Sequence, residues 1–93
     1  MIYDNLVKNN NEISEVLNQV NISFPNGPMV EINGLKPAKY KVEFQDSETG
    51  NMLYVCDIKT NMWAKCTIQD SIKWKITIWE NGNLFYEESF LST

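Results

Sequence analysis

Histidine and arginine are both missing from this 93-residue sequence. Without histidine, the usual general base near neutral pH and the commonest metal ligand are gone. Without arginine, no planar fork grips phosphate or carboxylate in two places. Any catalysis would have to run on carboxylates and lysine, and the reading is that the chain is not an enzyme. Positive charge is also scarce: eight basic residues, all lysine, stand against twelve acids, for a net charge of −4. A nucleic-acid binder needs a massed cationic surface to displace counterions, so nucleic acid is not an expected partner. No stretch approaches the roughly 20 apolar residues of a membrane-spanning helix. The start, Met1-Ile2-Tyr3-Asp4, lacks the basic and apolar regions of a signal peptide. A cytoplasmic, reducing location is expected for the two cysteines, Cys56 and Cys66.

What is present is a normal globular content of apolar residues, 43%, in one small domain's worth of chain. Alternation organises the second half. Tyr40–Asp46, Met52–Ile58, Met62–Ile68, Ile72–Trp79 and Leu84–Phe90 each place apolar residues at every second position, the mark of strands with one face buried. Turn signals divide them: Asp46–Asn51 with a glycine, the tight Lys59-Thr60-Asn61, and Glu80-Asn81-Gly82-Asn83 with its Asn-Gly pair. The block reads as an antiparallel meander. Upstream, Ile22-Ser23-Phe24 and Met29–Ile32 give two more short strands around the Pro25-Asn26-Gly27-Pro28 turn. The expected fold is mainly β: a small antiparallel β-sandwich or partly open barrel of about seven strands, with a short N-terminal helix.

That helix is read over Asn11–Val20, where Ile13, Val16, Leu17 and Val20 fall at i, i+3, i+4 and i+7. Asn11 is placed to cap it, with Glu12 and Glu15 near the positive end of its dipole. Residues 1–21 are thus expected as an amphipathic helical segment and 22–93 as the β domain. Two readings stand for the apolar stripe: it covers one edge of the sheet, or it packs on a partner.

Aromatic residues are the richest feature. Alternation turns Trp74 inward as a core tryptophan and leaves Trp63, beside Lys65, and Trp79 as candidates for an exposed apolar patch. Such a patch can anchor a protein interface, undergo ordinary partial burial, or stack on sugar rings with Asn61, Gln69 and Asp70 near in sequence. Folding the chain back at Thr60 sets Ile58 against Met62, Cys56 against Ala64 and Tyr54 against Cys66. The two thiols are then core residues of one face. A metal site would need further ligands that no histidine supplies, so no metal and no cofactor are expected. Asp70, Glu80, Glu87 and Glu88 fall at strand ends or on a solvent face, and no catalytic residue is assigned.

Several segments together carry a resemblance: Gly27–Ile32, Tyr40–Phe44, Thr49–Tyr54, Asn61-Met62-Trp63-Ala64-Lys65-Cys66, Trp74-Lys75-Ile76 and Leu84–Glu87. They resemble the N-terminal β-domain of bacterial glycosyltransferases related to the autotransporter heptosyltransferases. In that family the module precedes a two-lobed catalytic domain that transfers sugar to serine hydroxyls, and the metal-binding cysteines lie beyond the region of likeness. The resemblance implies a non-catalytic accessory domain for assembly or acceptor positioning. Its partners would be a glycosyltransferase catalytic domain or its acceptor protein, with a homo-oligomer as a further possibility. The chain ends at Leu91-Ser92-Thr93, where the family continues into catalysis, so no catalytic residue carries over. Expected contact residues are Trp63, Lys65, Trp79 and Phe85, with Ile13, Val16, Leu17 and Val20. The alternatives are a carbohydrate-binding module and a stand-alone protein-interaction domain.

Overall fold

The computed structural model describes residues 17–67 and 73–91. It contains seven strands: β1 (Gln19–Ser23), β2 (Met29–Asn33), β3 (Lys39–Asp46), β4 (Met52–Lys59), β5 (Met62–Lys65), β6 (Lys73–Glu80) and β7 (Asn83–Leu91). They form two antiparallel sheets, a three-stranded one in the order β1-β2-β5 and a four-stranded one in the order β4-β3-β6-β7. Neither sheet closes on itself.

Period-two alternation explains how the sheets face each other. Val30, Ile32 and Ala64 of the smaller sheet form one buried cluster with Tyr40, Val42, Phe44, Ile58, Trp74, Ile76 and Ile78 of the larger. Each fully buried Val, Ile or Phe contributes about 1.5–3 kcal/mol by leaving water. Phe24, just past β1, meets Phe90 of β7 edge-on with ring centres 5.5 Å apart. Three strands cannot roof four completely, and Tyr54 on the inner side of β4 stays exposed.

The expected meander breaks at Thr60. Strand β5 does not pair with β4. It crosses to the other sheet and pairs with β2, so that Val30 is opposite Ala64 and Ile32 opposite Met62. The turn residue Asn61 is the physical reason. Its φ of 68° reverses the chain. Its amide N–H donates to the Ile32 carbonyl at 2.6 Å, while its side chain bonds both the N–H and the carbonyl of Gly34 at 3.0 Å. All three contacts fasten the turn to the end of β2, not to β4. Strand β3 instead takes β6 as its second neighbour.

Val20 is the second correction. It lies in β1, opposite Ile32, and not in a helix. Val20 closes the helical stripe but also alternates with Ile22 at a period of two, and pairing with β2 selects the strand. Strand β1 also runs across the division expected at residue 21. Leu17 and Asn18 have no regular structure, and no helix occurs among the described residues. The rest of the expected helix, with Ile13 and Val16, lies outside them.

Candidate functional site

One end of the sandwich gathers the β2–β3 loop, the β4–β5 turn, the β6–β7 turn and the segment entering β1. A polar cluster holds them together. The buried Asn18 amide donates to the Tyr40 hydroxyl and to the Lys36 carbonyl at 2.8 Å each. Tyr40 donates in turn to Glu80 at 2.6 Å, and Lys36 forms an ion pair with the same carboxylate at 3.2 Å. Thr60 Oγ1 donates to the Lys36 carbonyl and accepts the Ala38 N–H. Burial, followed by the Glu80 contact, raises the Tyr40 hydroxyl above its ordinary pKa. The hydrogen bond from Tyr40, aided by Lys36, holds Glu80 below the usual carboxylate value against the opposing effect of burial. Every partner here is a loop or strand terminus of the chain itself, so the cluster fastens four segments and offers no free reacting group.

Beside that end, the outer face of the four-stranded sheet carries a concavity of about 840 Å³, lined among others by Lys39, Lys41, Glu43, Asp57, Lys59 and Trp79. Strand register builds it. Lys39 lies opposite Lys59 and Lys41 opposite Asp57 across β3–β4, and Lys41 lies opposite Trp79 across β3–β6. The half-buried Trp79 donates its indole N–H to Glu43 Oε1 at 2.9 Å, which fixes the ring against the sheet. Lys39, Lys41 and Lys59 form no ion pair among the described residues, whereas Lys36, Lys73 and Lys75 pair with Glu80, Glu48 and Glu87.

A third surface runs along the side where edge strands β4 and β5 meet. Trp63 is 59% exposed there, with Met52, Tyr54, Val55 and Met62 also exposed. Tyr54 lies within electrostatic reach of both thiols: charge repulsion from Cys56 chiefly raises its pKa, and Cys66 adds a smaller push. Both cysteines are free, Cys66 buried and Cys56 half-buried.

Trp63 and Trp79 do not share a patch. Trp63 follows the pairing Glu31–Trp63 onto the outer face of the small sheet, and Trp79 is on the outer face of the large one, so the sandwich separates them. Lys65 is on the Trp63 side, opposite Met29. Phe85 sits at a bulge in β7 and packs on Tyr40 with ring centres 5.3 Å apart. Val20 packs against the core, and Leu17 is exposed. The lysines and Glu43 around Trp79 were within reach of the sequence, since Lys39, Lys41 and Glu43 alternate. Joining them to Asp57, Lys59 and Trp79 required the β4-β3-β6 order. The Asn18–Tyr40–Glu80 cluster joins residues up to 62 positions apart in sequence and left no local signal.

The chain matches no protein-family model, no curated protein and no solved structure. Among the described residues no helix is long and apolar enough to cross a membrane, and no group of three or more His, Cys, Asp or Glu side chains could hold a metal ion.

Proposed function

We propose that this chain is a non-catalytic accessory module that assembles by pairing strand β4 with β4 of a second copy. The observation that carries the reading is the character of β4 as an edge. Four edge strands are present among the described residues. Strands β1 and β5 are short, five and four residues. Strand β7 is long but carries Glu87 and Glu88 side by side. Strand β4 has eight residues and no charge from Met52 to Cys56, with only a bulge at Leu53 and the charges of Asp57 and Lys59 toward its end. An exposed, long, apolar edge is a template for another strand. Antiparallel pairing of β4 about a two-fold axis is self-complementary and closes at two copies. Trp63 and Met62 on the adjoining strand supply apolar area beside the new ladder.

Three of the acids support the non-catalytic part because they are engaged in holding the fold. Glu80 binds Tyr40 and Lys36, Glu87 binds Thr77 and Lys75, and Glu43 binds Trp79. This role matches the assembly function implied by the resemblance to the N-terminal β-domain of heptosyltransferase-like enzymes, with their catalytic domain as the unit served. Hydrogen exchange tests it: the β4 amides not bonded to β3 gain protection as concentration rises. Concentration-independent exchange along β4 would contradict the proposal.

A further inference from the structure

The geometry points to a second binding site, on the outer face beside the β4 edge and sharing Asp57 and Lys59 of that strand: the concavity around Trp79 takes an acidic saccharide, a sugar bearing carboxylate groups. Three observations converge on it. The first is charge placed against local stability. Lys39 and Lys59 face each other directly across β3–β4, an arrangement that destabilises a sheet. Lys41 is the next outward residue on β3, and none of the three forms an ion pair among the described residues. The concavity sets three lysines against the carboxylates of Glu43 and Asp57, a net positive lining in a chain of net charge −4. Focusing of that field in a recess attracts anions.

The second observation is the ring. Trp79 belongs to the lining, and its N–H is already committed to Glu43 at 2.9 Å. The indole is therefore held in one orientation before any ligand arrives, which lowers the entropy lost on binding. The third is the remaining polar set. Asp57 lines the same space with no ion pair among the described residues, and Asn81 borders it. The Asp57 carboxylate accepts hydrogen bonds from hydroxyl groups, and the Asn81 side chain, whose oxygen accepts the Lys39 N–H, has amide hydrogens to donate to them. A uronic acid brings its carboxylate to the lysines, its hydroxyls to Asp57 and Asn81, and its C–H face to Trp79. The match is to a polyhydroxylated ring carrying one negative charge per unit.

Titration calorimetry with trigalacturonate tests this, alongside galactotriose as the neutral counterpart and inorganic phosphate as a bare anion. Trigalacturonate is expected to bind saturably, about tenfold more tightly than galactotriose, and more weakly as salt screens the lysines. Lys41→Gln with Lys59→Gln should weaken it about tenfold while far-UV circular dichroism stays unchanged. Trp79→Phe, which keeps an aromatic face but lacks the N–H that Glu43 holds, should weaken binding that Trp79→Ala loses. Absence of saturable binding, equal affinity for the neutral trisaccharide, binding untouched by the lysine changes, or phosphate binding as tight as trigalacturonate would each overturn the assignment. Pairing through β4 is read separately, by light scattering of Trp79→Ala, which leaves every residue of β4 unchanged.

Discussion

Asn18 shows how much one side chain can fasten. Its amide nitrogen reaches Lys36, Tyr40 and Thr60, and its oxygen accepts the Lys36 N–H. Asn18→Ala leaves the Tyr40 hydroxyl and loop backbone groups without that partner, and should cost about 1–3 kcal/mol in urea unfolding. Gly34 has the same neighbour: a Cβ there would overlap the Asn18 side chain, so Gly34→Ala should also destabilise, by about 1–3 kcal/mol. Glu80 gives the cluster a pH dependence. Its carboxyl is lowered from 4.5 in the folded chain, so its contribution is present above that value and is lost as pH falls through the depressed one. Glu80→Gln should remove that part of the acid sensitivity, read as a flatter dependence of melting temperature on pH below about 5. Tyr40 works in the opposite direction: its pKa is raised from 10.0, so its contribution holds below 10.0 and fades as pH climbs through the raised value. None of these partners could be read from the sequence, because Asn18, Tyr40 and Glu80 belong to three segments that meet only in the folded chain.

Elements were legible where alternation was unambiguous. The expected Tyr40–Asp46, Met52–Ile58 and Leu84–Phe90 lie within or nearly coincide with β3, β4 and β7, because each has one apolar face and explicit turn residues at its ends. Val20 was ambiguous because one apolar residue serves both a helical and an extended period. The partner of β5 was hidden for a different reason. A two-residue turn normally predicts a hairpin, but the side chain of Asn61 anchors to Gly34 across the sandwich and so directs β5 to β2. Asn61→Ala loses both of those hydrogen bonds and puts a less tolerant residue at positive φ. A cost of about 1–3 kcal/mol is expected in urea unfolding. An unchanged midpoint would show that the turn does not direct the strand.

For the whole molecule, the sequence foretold a mainly β fold of seven strands but not which faces its tryptophans would occupy. Period two puts Trp63 and Trp79 on outer faces, yet only the distribution of strands between two sheets puts them on opposite sides. The β4 edge and the Trp79 concavity should respond oppositely to salt. Copies of a chain with net charge −4 repel, so salt should strengthen pairing through β4 while weakening an acidic saccharide at the Trp79 concavity. Mass measurements and calorimetry at low and high salt would check the two trends side by side.

The most direct test of assembly through the β4 edge is the solution mass of the chain, taken by light scattering over a concentration series. The account predicts a dimer that dissociates on dilution, weakened by Trp63→Ala and reduced to monomer by Val55→Lys, with circular dichroism unaltered in both. A strict monomer at every concentration, or a dimer indifferent to Val55→Lys, would contradict it.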